Sequence, residues 1–122
     1  MSHILVIEDD EFFRETLVHM LEKEGHKVLA SSDGAKALEL LAHVKPDVIL
    51  TDILMPNMDG IEFIMELIRR SNDTPLIAMS GGRRSITSSF NLESARLIGV
   101  KFTLTKPFPH TALNSALREA LA

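Results

Sequence analysis

Apolar and polar positions along the chain fall into two alternating kinds of block. Ile4 to Ile7 (ILVI), Val48 to Leu50 (VIL) and Leu76 to Met79 (LIAM) are short, continuously apolar runs, the pattern of strands covered on both faces. Lys27 to Ser31 reads as a weaker strand. In Val100 to Thr105, Val100, Phe102 and Leu104 alternate with Lys101, Thr103 and Thr105, which predicts a strand with one more polar face. Between these runs apolar residues recur at helical spacing. Phe13, Leu17, Met20 and Leu21 predict a helix from Glu11 to Glu24 that Gly25 ends. Ala35, Leu38, Leu41 and Ala42 make one face of a helix that Asp33 caps and that runs to about His43. Ile61, Ile64, Met65 and Ile68 do the same between Gly60 and Arg70, where Asp59 and Glu62 have capping-box spacing. Gly81 to Asn91 is polar and glycine-led, a long loop, with a helix from about Asn91 to Ile98 closed by Gly99. After Pro107 and Pro109 a last helix carries Leu113, Ala116, Leu117, Ala120 and Leu121 on one stripe.

Five strands alternating with five helices predict an α/β fold, a doubly wound and mostly parallel sheet, because each right-handed crossover needs a helix to return the chain. The wholly apolar runs belong in its middle, and the strands starting at Lys27 and Val100 suit its edges. Ligands of such sheets bind beyond the carboxyl ends of the strands. Glu8, Asp9, Asp52, Ser80 and Lys106 stand at those ends.

Composition narrows the class. At 122 residues, 45% hydrophobic and 25% charged, the sequence predicts a single domain over residues 1–122 with no output domain attached. The absence of cysteine excludes disulfides, thiolate metal sites and a cysteine nucleophile. No stretch has the pattern of a signal peptide or a bilayer-spanning helix, so the expected location is the cytoplasm, with no membrane partner. A net charge of −4 with scattered Lys and Arg predicts no direct nucleic-acid binding. The five histidines lack metal-ligand spacing.

The strand-end residues carry the chemistry. If their strands are neighbours, three carboxylates share a small pocket, and each close pair repels by about 4 kcal/mol at an effective dielectric of 20. A divalent cation relieves this, and an all-oxygen site suits Mg²⁺ or Mn²⁺. Lys106 adds a fixed positive charge, and the Ser80 hydroxyl and backbone amides around Ile53 and Gly81 complete a clamp for a phosphoryl group. Asp52 is the carboxylate left to attack phosphorus.

The whole chain resembles the receiver domain of two-component response regulators, of the stand-alone type. The likeness rests on ILVIEDDE, PDVILTDILMPNMDG, PLIAMSG and TLTKPF at four successive strand ends. It implies a flavodoxin-like sheet of order 2-1-3-4-5, in agreement with the edge strands assigned above. It further implies that Asp52 is the phosphoacceptor, Asp9 a direct Mg²⁺ ligand and Glu8 an acid acting on the metal mainly through water, while Asp10 starts the helix outside the site. Leu54 would lend the metal its backbone carbonyl, Ser80 would hydrogen-bond the phosphoryl group, and Lys106 would pair with it, with a cis bond before Pro107. The implied function is a phosphoacceptor switch, not an enzyme in the ordinary sense, although its site promotes its own phosphorylation and dephosphorylation. The donor would be a phosphohistidine on a sensor histidine kinase or a histidine phosphotransfer protein, and the output a changed affinity for a downstream protein.

The sequence departs from that pattern at three places. Thr103 stands where receivers usually carry an aromatic switch residue, the stretch from Ser80 to Lys106 is longer than usual, and Leu54 and Gly82 offer no polar side chain to position a hydrolytic water, which implies slow dephosphorylation. The alternative function is a receiver-like module that binds partners without phosphorylation. A flavodoxin-like cofactor carrier would need a phosphate-cradling first loop and stacking aromatics, yet the first loop is acidic and Trp and Tyr are absent. An aspartyl phosphohydrolase would need a second acid two residues after Asp52, where Leu54 stands.

Overall fold

Parallel pairing of the apolar runs builds the centre of the protein. The computed structural model describes residues 2–53, 60–81 and 100–122. Along the chain lie β1 (His3–Ile7), α1 (Glu11–Lys23), β2 (Lys27–Ser31), α2 (Gly34–Leu41), β3 (Val48–Asp52), α3 (Gly60–Arg69), β4 (Leu76–Gly81), β5 (Phe102–Lys106) and α4 (His110–Leu121). The strands form one parallel sheet in the order β2-β1-β3-β4-β5. The three continuously apolar runs are its centre and the two polar-tolerant strands its edges, as a sheet covered on both faces requires. The capping box expected at Asp59, the loop expected beyond Gly81 and the helix expected at about Asn91 to Ile98 lie outside the described residues, which contain four helices.

Side chains of a strand point alternately to its two faces. Ile4, Val6, Val48, Leu50, Ile77, Met79 and Leu104 therefore share one face, where they pack with Leu17 and Leu21 of α1 and with Leu113 and Leu117 of α4. Leu5, Ile7, Ile49 and Ala78 take the opposite face and meet Ala37 and Leu38 of α2 and Phe63, Ile64 and Leu67 of α3. The sheet is thus doubly wound, with α1 and α4 on one side and α2 and α3 on the other. Among the described residues no helix is long and apolar enough to cross a membrane.

Helix ends follow their local chemistry. The Asp10 carboxylate accepts from the Phe13 N–H at 3.1 Å, and that of Asp33 accepts from the Lys36 N–H at 2.8 Å. Each fills one of the donors that a helix start leaves unpaired. Beyond α1, Gly25 takes φ +91°, a conformation that favours glycine, and turns the chain into β2. Asp33→Ala is expected to lower stability by about 1 kcal/mol, read by urea unfolding, with no change in the slope of the transition.

Two helix faces differ from the sequence expectation. In α3 the stripe on the sheet is Phe63, Ile64 and Leu67, while Met65 and Ile68 are 56% and 57% exposed. Six of the ten residues of α3 are apolar and cover about half of its circumference, wider than the stripe the sheet buries, so periodicity alone does not fix which of them face inward. In α2, Ala37 and Leu38 are buried with Leu40 and Leu41 beside them, and Ala35 and Ala42 face solvent. There the leucines set the face, because they bury more apolar area than the alanines. Two strand ends also shift: β4 continues through Ser80 to Gly81, and β5 starts at Phe102 and includes Lys106.

Candidate functional site

Strand register and side-chain alternation bring the distant charges together. β1 and β3 pair Ile7 with Thr51, so the following residues, Glu8 and Asp52, come level at the carboxyl end of the sheet. Glu8 continues the parity of Ile4 and Val6, Asp52 that of Val48 and Leu50, and Lys106 that of Leu104. All three consequently lie toward the face covered by α1 and α4. Ser80 continues the parity of Ala78, toward the other face. Lys106 lies beyond β4 from Asp52, and its long side chain spans that gap.

The Lys106 ammonium donates to Glu8 Oε1 at 2.5 Å and to Asp52 Oδ2 at 2.6 Å. Glu8 is only 1% exposed. Its second oxygen, Oε2, accepts from the Asp10 N–H at 3.1 Å, and its backbone carbonyl accepts from the Arg14 guanidinium at 2.9 Å. Asp52 is buried, with the Lys106 ammonium against its carboxylate. Asp9 is half-buried, and oxygens of Glu8, Asp9 and Asp52 all lie within 4.8 Å of one another. The Ser80 hydroxyl is buried with no hydrogen-bond partner among the described residues. Asp10 is the N-cap of α1, as expected of an acid outside the cluster. The peptide bond before Pro107 is cis. Leu54, expected to offer a backbone carbonyl to a metal, lies outside the described residues.

Spacing along the chain puts Phe13 on the apolar stripe of α1 and gives Phe108 no role. The Lys106 ammonium sits 4.5 Å from the centroid of the Phe13 ring. Phe108 meets that ring edge-on, with centroids 5.9 Å apart and planes at 84°. An aromatic residue one turn into the first helix was the only visible signal, and spacing does not say that its face meets a lysine far along the chain.

Electrostatics follow burial. Removal from water, then the charge of Asp52, push the Glu8 carboxyl up from its usual 4.5 to about 7, against the hydrogen bonds from Lys106 and the Asp10 amide. Burial opposes the Lys106 charge, but its bonds to Asp52 and Glu8 outweigh this and raise its pKa above the usual lysine value. The Glu8 shift has a signed consequence. Folded chain holds a proton at Glu8 that unfolded chain has already lost between the usual value and about pH 7, so stability is greatest below that window and falls as pH rises through it. Glu8→Gln should remove this slope. Urea unfolding near pH 5 and pH 8 is the check, and equal slopes in parent and variant would contradict it.

The donor set fits a hard divalent cation: three carboxylates with oxygens in reach of one another, one of them raised in pKa by burial and then by a like charge. It also fits an incoming anion at Asp52, where the Lys106 ammonium contacts the carboxylate and the next strand ends in a buried hydroxyl without a partner among the described residues.

Residues 4–118 match the family described as "Response regulator receiver domain". The chain is 32% identical over 121 residues to the transcriptional regulatory protein AfsQ1 of Streptomyces coelicolor, covering 99% of this chain and 52% of that protein. It thus spans about half the length of that relative. Among solved structures, the receiver domain of the Francisella response regulator 1452 superposes with a TM-score of 0.86 at 27% identity, covering 99% of this chain and 97% of that one. The chemotaxis response regulator CheY4 of Vibrio cholerae gives 0.85 at 28% identity, with 99% of each chain covered. With its sheet order, its acid cluster and this match along nearly all its length, the chain belongs to the receiver domains of two-component response regulators.

Proposed function

We propose that the protein is a phosphoacceptor switch in which Asp52 takes a phosphoryl group from a phosphohistidine, on a sensor histidine kinase or a histidine phosphotransfer protein. The observation that carries this reading is the position of Asp52. It ends a buried strand with two further carboxylates in reach and the Lys106 ammonium 2.6 Å away, bridging it to Glu8.

An Asp52 oxygen attacks phosphorus, the phosphorus–nitrogen bond of the donor breaks, and the imidazole keeps the electron pair and takes up a proton. Glu8, Asp9 and Asp52 would hold Mg²⁺ or Mn²⁺, with the Leu54 carbonyl added by family likeness. When bound, the cation neutralises charge on the phosphoryl oxygens. Lys106 moves from the Asp52 carboxylate to a phosphoryl oxygen, and the Ser80 hydroxyl gains a partner there. Hydrolysis returns the carboxylate and inorganic phosphate when water attacks phosphorus.

Phosphorylation adds about −1.5 to −2 charges at the end of β3. Turning a two-state surface from 1:99 to 99:1 requires roughly 5.5 kcal/mol of differential stabilisation. Charge-assisted bonds made by Lys106 and Ser80 supply it in part, and the result is a changed affinity for a downstream protein.

Intact-mass measurement after incubation with acetyl phosphate tests the reading. One added phosphoryl group that requires Mg²⁺ is the expected outcome. No adduct from folded protein with Mg²⁺ present would turn the assignment to a module that binds partners without phosphorylation.

A further inference from the structure

Two carboxylates fix where the charge of Lys106 ends, but not the path its side chain takes. A lysine carries a compact charge on a flexible four-carbon stem, and a pair of acids can hold it from several directions. The Phe13 ring removes that freedom. It lies 4.5 Å from the ammonium, and its face attracts a cation whose side chain is only 13% exposed. The ring is itself constrained. Phe108 supports it edge-on at 5.9 Å, and both rings pack against the core formed by Leu17, Leu21 and Leu113. Because Phe108 follows Lys106 by two residues, the same segment that carries the ammonium also supports the ring that receives it.

We propose that Phe13 is a positioning residue for Lys106: its ring, braced by Phe108, aims the ammonium at the Asp52 carboxylate and hence at the phosphoryl group that Asp52 receives. The proposal rests on the reading of Asp52 as phosphoacceptor. The Phe13 ring meets the site at the Lys106 ammonium, and its influence passes through that lysine.

The test joins a placement readout to a rate readout. Side-chain methylene protons of Lys106 next to the ammonium, assigned by NMR in the unphosphorylated protein, are expected upfield of those of the other lysines because the ammonium they adjoin lies over a ring face. Phe13→Leu should abolish this shift, and Phe13→Trp should keep it. Phosphorylation by acetyl phosphate should be roughly two- to thirtyfold slower in Phe13→Leu, the span expected of one cation–π contact. Phe13→Trp should restore the rate, and Phe13→Leu should cost nothing further in a Lys106→Met background. Lys106 protons at ordinary lysine positions in the parent would overturn the proposal. So would an equal loss of rate with and without the lysine, which would make the ring only packing. A parent that takes up no phosphoryl group would refute the reading of Asp52, and the NMR shift would still decide whether Phe13 positions Lys106.

Discussion

Asp52→Asn is expected to abolish phosphoryl uptake completely, with no adduct by intact mass under conditions that fully modify the parent. The amide keeps the shape of the carboxylate but loses the nucleophilic oxygen and one anionic ligand for the cation. A second readout separates this from a trivial loss of fold. Asp52 is one of two causes that raise the Glu8 pKa, and burial is the larger. In Asp52→Asn the Glu8 carboxyl should therefore titrate below the parental value of about 7, yet stay above the ordinary 4.5. Carboxyl-carbon NMR across pH reads this directly. An unchanged titration would mean that the two acids do not interact as their shared contact with Lys106 requires.

Lys106→Met should bring the largest loss of stability of the substitutions considered. It leaves Glu8 and Asp52 buried side by side without their cation. Removing one partner of a buried ion pair costs about 3–5 kcal/mol when the remaining charge cannot escape. Here one charge can escape. Lys106 lowers the Glu8 pKa, so in its absence Glu8 holds a proton to still higher pH. The penalty should thus be small near pH 5, where protonated Glu8 can donate to Asp52, and approach about 3 kcal/mol above the raised pKa, where both must ionise. Mg²⁺ should restore more stability to the variant than to the parent at alkaline pH, because it replaces the missing charge. Urea unfolding at the two pH values, with and without Mg²⁺, gives the result. A uniform loss across pH would show that the lysine contributes packing and not charge.

Much of this molecule is written in its local pattern. The apolar runs at Ile4, Val48 and Leu76 announce central strands, and Asp10, Asp33 and Gly25 bound helices where their chemistry says they should. Residue parity also carries the site, since Glu8, Asp52 and Lys106 each continue the alternation of the apolar residues before them. Other features have no local signature. The buried side of α3 is ambiguous because Met65 and Ile68 are as apolar as the residues that the sheet covers. The ring of Phe13 beneath Lys106 depends on how α1 packs on the sheet, and the raised pKa of Glu8 depends on the depth of that packing. Both are products of tertiary structure and are not spelled out by spacing.

The pairing of Lys106 with Glu8 joins residues 98 positions apart. During synthesis from the amino terminus, the acids of β1 and β3 emerge long before their counter-charge. Every strand pair is parallel, so each must close a long loop before any ladder bond is made. A nascent chain that stops short of β5 therefore holds these acids without Lys106, and it should depend on divalent cations more than the finished protein does. The last strand to be made brings the charge that lets the first one rest.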